Sequence, residues 1–452
     1  MENVIIQNVV QLAPRKAAYE DAVAAYLSGR SISCVGALNG HEGVQASLLR
    51  SRAFLRLGRL SDVIDELGSA IPRFTDHARS AEHQFLLGTT LARSGQFDEA
   101  SEALANAQAY ADSSSDPELI AEAAYYRALT AFMSRDISRA QEIATSFLDD
   151  RTGSPHARIM ELLGLVAGIQ GDVEKQIMMH RGASEHLTRI EHRDLYAEAN
   201  TLNNLAVPVA EVNPPGVAEY VRSRAAAIAW NDELRGPRFH VIHHLAWLDA
   251  LAGNHLSAFR NFRTAVALAP TTARRAEALA GRGYLAREMG ETIGAAECIA
   301  DAQDLAQQID WNATDDDERL ALLQLATLVA PVDSSRAASY VDRYKAIPKK
   351  IKPLNVAAHG DPLYRAKEAH AFGLVAKEHL GPTFAVPLLQ TAHDLFRSVS
   401  SGWRAAVVAM DLYDAARDPA MLQYAREHAV RIPQSWLARR VARLTDLTER
   451  SA

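Results

Sequence analysis

The chain has 452 residues, of which 48% are hydrophobic but only 7% aromatic, and a formal net charge of −7. This acidic balance argues against a protein whose whole surface binds polyanions. Two cysteines, Cys34 and Cys298, provide neither a disulfide framework nor a CxxC metal motif, so we expect a cytoplasmic protein. We expect neither a secretory signal nor a membrane partner, because the N-terminal segment lacks a basic region and no apolar stretch is long enough to span a bilayer.

In chain order, the first clear element is FLLGTTLARSGQFDEASEALANAQAYA (85–111), in which Gly88 precedes a turn glycine, Gly95, and alanines follow. Two antiparallel helices cross closely only where small side chains meet, and a glycine between them lets the chain reverse. The pattern therefore predicts a helix–turn–helix pair. The same spacing of small residues returns in three further segments: Gly164, Gly171 and Ala183; Ala246, Gly253, Ala258 and Ala265; and Gly283, Gly290, Ala295 and Ala302.

These positions match the tetratricopeptide repeat, and the chain resembles proteins of that kind over nearly its whole length. The resemblance implies an all-α fold, a right-handed superhelical solenoid of antiparallel helix pairs. The period, about 36–42 residues, is longer than the usual 34 and resembles the sensor segments of large bacterial transcriptional regulators. Clear units are predicted at 81–110, 157–186, 239–270 and 276–305, and weaker ones at 44–71, 121–148, 199–228, 318–346, 366–397 and 402–430.

The domain prediction follows from these units. We expect N-terminal capping helices over 1–43, and a main array of about eight helix pairs over 44–346. A basic, proline-containing linker or hinge is predicted at 347–363, followed by further helix pairs and a capping helix over 364–452. Two weaker units carry Arg135 and Asn213 where the turn glycine is expected.

The resemblance also implies a ligand-binding groove, since in such repeats the first helix of each pair lines the inner surface. Position by position, it assigns to this groove Phe85, Tyr125, Glu161, Asn200, Asn203, Asn204, His240, His243, His244, Trp247, Tyr284 and Arg287.

The adjacent asparagines of TLNNLA (201–206) stand out because asparagine is a poor helix former. An asparagine amide both donates and accepts, which suits an extended peptide backbone. The segment resembles the LNNLA of kinesin light chains, whose groove asparagines hold peptides, and repeat-containing receptors of peptide pheromones use asparagines similarly. The alternative interpretation is that Asn203 or Asn204 bridges neighbouring helices.

The leading functional hypothesis is a non-enzymatic binding protein or sensor, without a cofactor, that captures a peptide or protein segment in its groove. One alternative is a transcription or signalling regulator acting on nucleic acid directly or through a partner. It rests on the stretched repeats and on Arg439, Arg440 and Arg443, although the net charge does not support it and a solvated helix face is the preferred interpretation of the arginines. A second alternative is a metal-dependent enzyme using His240 and His244, whose spacing places both on one helix face. We favour structural histidines and predict no metal site.

Overall fold

The structure is a computed structural model that describes residues 16–70, 76–148, 153–212, 216–312, 314, 316–347 and 362–451. Every regular element in this part of the chain is helical. The predicted all-α repeat fold is confirmed, with helices joined by short turns into consecutive antiparallel pairs. Residues 1–15 of the predicted cap, Asn213 and residues 348–361 of the predicted hinge lie outside the described residues.

The helices, in chain order, are α1 (16–27), α2 (Ser31–Ala37), α3 (Val44–Arg56), α4 (Leu60–Ala70), α5 (His77–Arg93), α6 (Phe97–Ser114), α7 (Pro117–Met133), α8 (Ile137–Ser146), α9 (Gly153–Ile169), α10 (Val173–Leu187), α11 (Leu195–Val212), α12 (Val217–Ala227), α13 (Arg235–Leu251), α14 (His255–Leu268), α15 (Thr272–Met289), α16 (Thr292–Gln308), α17 (Asp316–Val329), α18 (Ser334–Ala346), α19 (Pro362–His379), α20 (Pro382–Ser398), α21 (Gly402–Ala416), α22 (Pro419–Arg431) and α23 (Trp436–Ser451). A short 3-10 turn, Asp232–Leu234, precedes α13. None of the described helices is both long and apolar enough to cross a membrane.

Small residues hold the paired helices close, as their spacing predicts. A Cβ built on Gly88 would lie 2.6 Å from the Leu104 side chain of the second helix. One built on Gly283 would lie 2.9 Å from Cβ of Cys298. The two backbones therefore approach where a larger residue has no room.

The turns between paired helices need a left-handed backbone. Gly95, Gly253 and Gly290 have φ of 83°, 80° and 81°, which glycine adopts without a steric penalty. Arg135, at the turn that lacks the glycine, takes the same conformation with φ of 70°. The turn geometry is therefore kept even where the sequence does not favour it.

The chain divides into two compact units. The first comprises 1–166, 178–201 and 228–234, and the second comprises 167–177, 202–227 and 235–452. The core of the first includes Phe54, Phe85 and Leu104.

The core of the second unit carries the residues that position the candidate site. Phe262, Trp403 and Trp436 share one cluster, and the predicted capping helix α23 contributes Trp436, whose side chain is fully buried. Tyr344 and Tyr364, on either side of the predicted hinge, lie in another cluster of the same unit. The helices before and after residues 348–361 therefore pack together within this unit.

Candidate functional site

The second unit contains a cavity of about 100 Å³. It lies against α13, α15, α17, α19 and α21, each of which opens a helix pair, and against the end of α20. We call it the Trp247 pocket. Its lining residues are Trp247, Ala280, Gly281, Tyr284, Leu320, Leu323, Gln324, Thr327, Lys367, His370, Phe396, Trp403, Arg404 and Val407.

Aromatic rings form one wall of the Trp247 pocket. Trp247 and Trp403 stack with ring centroids 6.0 Å apart and planes 27° from parallel, and Tyr284 lies 6.1 Å from Trp247. Gly281 lets these rings pack closely against α15, because a Cβ there would lie 3.3 Å from the Trp247 ring and 2.7 Å from Phe262. Rings that hold one another in place form a rigid apolar surface, the kind that anchors a ligand side chain.

Two cations on the pocket wall share one buried carboxylate. Arg404 donates to both oxygens of Glu211, at 3.0 Å from its Nη2 to Oε1, and Lys367 Nζ lies 3.0 Å from the same Oε1. Ser401 Oγ donates to Glu211 Oε2 over 3.2 Å. Burial alone would raise the pKa of Glu211, but the charges of Arg404 and Lys367 outweigh it and lower that pKa to about 2. Glu211 is therefore ionised at neutral pH.

A second buried carboxylate, that of Asp411, is hydrogen-bonded to His370. Its Oδ2 lies 2.8 Å from His370 Nε2, and its Oδ1 accepts from Arg440. Burial opposes ionisation, but Arg440 and His370 together hold the pKa of Asp411 well below its usual range. The pair orients the His370 ring, which belongs to the pocket wall.

The pocket residue Gln324 is also held in place. Its Nε2 donates to Glu277 Oε1 over 3.0 Å, while Arg274 Nη1 donates to Glu277 Oε2 over 2.8 Å. Against the effect of burial, Arg274 and then His243 lower the pKa of Glu277 to about 2. The amide of Gln324 thus uses its N–H on Glu277 and keeps its oxygen as an acceptor.

The three predicted groove histidines lie on α13 outside the pocket lining. His243 is only 3% exposed and stacks on Phe239, with ring centroids 5.7 Å apart. His244 Nδ1 lies 2.7 Å from the carbonyl oxygen of His240. Burial lowers the pKa of all three, to about 4 for His244, so that they are neutral at pH 7. No three His, Cys, Asp or Glu side chains of the described residues are placed to share a metal ion.

The predicted groove residues of the first unit lie beside a network of ion pairs. Arg52 donates to Glu82 over 2.6 Å and to Glu122 over 3.0 Å, and Arg158 donates to the same Glu122 oxygen over 3.0 Å. These charges come from α3, α5, α7 and α9, the first helices of consecutive pairs. The network shows that the first helices bring their polar positions together, and that these side chains satisfy one another.

Three members of the predicted groove set belong to this region. Phe85 is fully buried and stacks on Tyr126 at 5.0 Å, which leaves it no surface for a ligand in this conformation. Tyr125 is half-buried and packs edge-on against Tyr126. Glu161 Oε2 accepts a hydrogen bond from Thr201 Oγ1 over 3.3 Å.

The three asparagines of α11 differ in their contacts. Asn200 Nδ2 donates to the Tyr196 carbonyl over 2.8 Å, a bond within its own helix. The side-chain oxygen of Asn203 is buried and, among the described residues, has no hydrogen-bond partner. Asn204 is half-buried. Of the three, Asn203 therefore offers a buried acceptor for an added donor.

The last predicted residues are Tyr284, which lines the pocket, and Arg287, which does not. Arg287 lies over the Tyr284 ring at 5.0 Å and donates to the Leu328 carbonyl over 2.8 Å. Of the predicted groove residues, Trp247 and Tyr284 therefore line the same pocket wall, and Arg287 packs against the Tyr284 ring.

The sequence reasoning missed the C-terminal half of the site: Lys367, His370, Trp403 and Arg404. All four lie in the weaker predicted units at 366–397 and 402–430, to which no groove positions were assigned. The adjacent Trp403 and Arg404, near the start of the last unit, are the signal that could have identified them. Of the C-terminal arginines, Arg440 differs from the prediction of a solvated face, because it is half-buried and pairs with Asp411. Arg439 is exposed, and the side chain of Arg443 is 50% exposed and lies 3.4 Å from Glu288.

No protein-family model and no curated protein matches this chain. Among solved structures it is similar to a Rap protein complexed with competence and sporulation factor, at 15% identity and TM-score 0.48, over 83% of this chain and 100% of that one. It is also similar to the apo form of RapI, at 13% identity and TM-score 0.47, over 80% and 98% of the two chains. A third likeness is to the human IFIT1 dimer with PPP-AAAA, at 12% identity and TM-score 0.45, over 94% and 95%. At such identities these likenesses concern the fold and say nothing of a ligand.

Proposed function

We propose that this protein is a non-enzymatic binding protein that captures a peptide or protein segment and anchors one side chain of that partner in the Trp247 pocket. The observation that carries the proposal is the pocket itself. Five first helices converge on it, and four of its lining residues are aromatic: Trp247, Tyr284, Phe396 and Trp403.

The size and chemistry of the pocket fit an anchor residue. A cavity of about 100 Å³ admits a single side chain, whereas drug-sized ligands occupy several hundred. Aromatic walls supply most of the binding free energy in interfaces of this kind, and a few polar groups fix the orientation. Because the wall is contributed by helices from five consecutive pairs, a bound side chain would couple their positions. Such coupling suits a signalling sensor.

The buried glutamates around the pocket favour binding over catalysis. The carboxylates of Glu211 and Glu277 are held ionised by their cationic partners, with pKa values of about 2, which is unsuitable for acid–base exchange at neutral pH. The hydroxyl of Thr327 donates to the Leu323 carbonyl of its own helix, over 2.9 Å. Both cysteines are buried free thiols, in keeping with a cytoplasmic protein.

Selection of peptides tests the proposal. A library of random peptides displayed on phage would be selected on the full chain, and enriched peptides would be measured by isothermal titration. Thr327→Phe, which places a larger side chain in the pocket lining, should weaken binding about tenfold or more. Asn203→Ala should weaken the same peptides several-fold if its amide reads their backbone.

The matched control is Tyr110→Ala. Tyr110 is an aromatic residue of the first unit that is 38% exposed and far from the pocket in sequence. This variant should bind the peptides as the unchanged chain does. Peptides that bind the Thr327→Phe variant with undiminished affinity, or the absence of any enriched peptide, would overturn the assignment of the pocket.

A further inference from the structure

The charges around Glu211 do not balance. One carboxylate is shared by two cations, Lys367 and Arg404, and among the described residues no second carboxylate is paired with either of them. The side chain of Glu211 is only 4% exposed, whereas those of Lys367 and Arg404 are 28% and 24% exposed. The carboxylate therefore lies behind the cations, and the cations present the excess positive charge to the pocket.

Both cations have donors to spare. A lysine ammonium has three N–H donors and an arginine guanidinium has five. Lys367 directs one contact to Glu211 Oε1, and Arg404 directs its Nε and Nη2 to Glu211. The guanidinium is further fixed over the Trp403 ring, at 4.4 Å. An oxygen ligand would thus meet N–H groups whose positions are already set.

The other charged groups behind the pocket do not cancel this excess. Asp411 is shared by His370 and Arg440. Glu277 is paired with Arg274. The carboxylate of Glu288 lies within 3.8 Å of Arg440 and within 3.5 Å of Arg287. Each of these carboxylates already has a cationic partner, so none is left to neutralise Lys367 and Arg404.

A cationic ligand is the obvious alternative, because aromatic rings attract cations. Two of the four pocket rings already have a cation over one face: Arg404 lies over Trp403 and Arg287 over Tyr284. A ligand cation would also meet the ammonium of Lys367 on the same wall, and like charges in a partly buried site repel. The charge pattern selects an anion.

We propose that the Trp247 pocket binds a carboxylate carried on an apolar body of about one side chain, with the carboxylate at Lys367 and Arg404 and the body against Trp247 and Tyr284. This inference deepens the proposed function and rests on it. The carboxylate has two possible sources with the same chemistry: the C-terminal residue of a peptide, or a free small organic acid.

Four probes separate these sources by calorimetry on the full chain. Phenylacetate and phenylacetamide differ in charge and little in shape. The peptide N-acetyl-Gly-Gly-Gly-Phe, with a free or an amidated C-terminus, makes the same comparison for a peptide. For a probe of about ten non-hydrogen atoms we expect a Kd on the order of 1 mM. The acid should bind about tenfold more tightly than its amide in at least one pair, and the pair that does so identifies the source.

Lys367→Met tests the assigned cation while keeping the apolar stem of the side chain. It should lower the affinity for the acid about tenfold and leave the affinity for the amide unchanged. The matched control is Lys345→Met, because Lys345 is an exposed lysine of α18, and this variant should change neither affinity.

Equal affinity of acid and amide would overturn the carboxylate assignment, as would undiminished binding of the acid to Lys367→Met or no binding of either acid at millimolar concentration. The proposed function fails separately. Selected peptides could lose affinity for the Thr327→Phe variant and yet show no preference for a free carboxylate. In that case the pocket is an anchor site, and the carboxylate proposal alone is wrong.

Discussion

The imidazole of His180, on α10, fills the space left by Gly164 on α9. A Cβ built on Gly164 would lie 2.7 Å from Cε1 and 2.8 Å from Nδ1 of the ring. His180 is fully buried, and neither of its ring nitrogens has a hydrogen-bond partner among the described residues. Burial lowers its pKa to about 3, so the ring is neutral at pH 7.

Gly164→Ala should therefore destabilise the protein. The added methyl group overlaps a ring that is packed on all sides, so that one helix must shift, and overpacking of this kind costs about 1–3 kcal/mol. Urea unfolding followed by circular dichroism would measure the loss. Gly68→Ala in α4 is the matched control, because nothing lies within 4 Å of the added Cβ, and it should stabilise by about 0.5–1 kcal/mol. Equal effects of the two substitutions would contradict the packing described.

His180 also makes stability depend on pH. Its pKa is lower in the folded chain, about 3, than the ordinary value of 6.5, so between these values the unfolded chain binds more protons. Stability is therefore complete above pH 6.5 and falls as the pH decreases. From pH 6.5 to 5.5 this one residue should remove about 1 kcal/mol from the free energy of unfolding.

His180→Leu should make that pH dependence shallower by about the same 1 kcal/mol, because leucine takes up no proton. Urea unfolding at pH 7.5, 6.5 and 5.5 gives the comparison. His192→Leu, at an exposed position, serves as the control and should leave the slope as it is. A slope that His180→Leu does not change would show that the imidazole takes up its proton over the same pH range in the folded and the unfolded chain.

The sequence predicted those features that follow from local geometry. Gly88 and Gly283 lie at close helix crossings and Gly95 at a left-handed turn, because each requirement involves neighbours in one helix pair. The repeat period predicts which helix lines a surface, but not which side chains meet there. The shared contact of Lys367 and Arg404 with Glu211 joins α19, α21 and α11, and no spacing in the chain specifies it.

Phe85 also shows that the repeat period alone does not predict which side chains line a ligand groove. Its position in the repeat assigned it to the ligand groove, yet it is fully buried between the Tyr126 ring and the guanidinium of Arg52. A periodicity places a residue on a helix face, whereas the size of the facing side chains decides whether that face is open. Around Trp247 the facing residues are Ala280 and Gly281, and there a cavity remains.

Glu211→Gln should destabilise the second unit strongly. It removes the carboxylate from a buried group of three charges and leaves Lys367 and Arg404 facing each other, which costs ~3 kcal/mol for pairs of this kind. Thermal unfolding at pH 7 would show the loss. The control is Glu219→Gln, whose carboxylate is 76% exposed in its pair with Arg222 and should change stability by about 0.5 kcal/mol or less.

The pH dependence of this loss provides an independent check. The folded pKa of Glu211, about 2, lies below the ordinary value of 4.5, so its stabilising effect is complete above pH 4.5 and is lost as the pH falls towards 2. The difference in unfolding free energy between the unchanged chain and Glu211→Gln should therefore narrow over that interval. A constant difference would mean that the destabilisation comes from packing and not from charge.

Arg135→Gly should stabilise the protein. Arg135 has φ of 70° at an exposed turn, a conformation that costs a residue with a Cβ about 1 kcal/mol and glycine almost nothing. The turns at Gly95 and Gly253, with φ of 83° and 80°, show that glycine fits the same geometry. Because the larger backbone freedom of glycine in the unfolded chain offsets part of the gain, we expect a net increase of about 0.5 kcal/mol in the free energy of unfolding.

The control lies in the following helix, α8. Glu142→Gly, at an exposed position within the helix, should destabilise by about 1 kcal/mol, since glycine there brings its entropic cost and removes no more than an exposed ion pair with Arg139. Urea unfolding of both variants decides between two explanations of the turn. Opposite signs mean that Arg135 is strained by its left-handed backbone, whereas destabilisation by both would mean that the Arg135 side chain makes a stabilising contact that outweighs the strain.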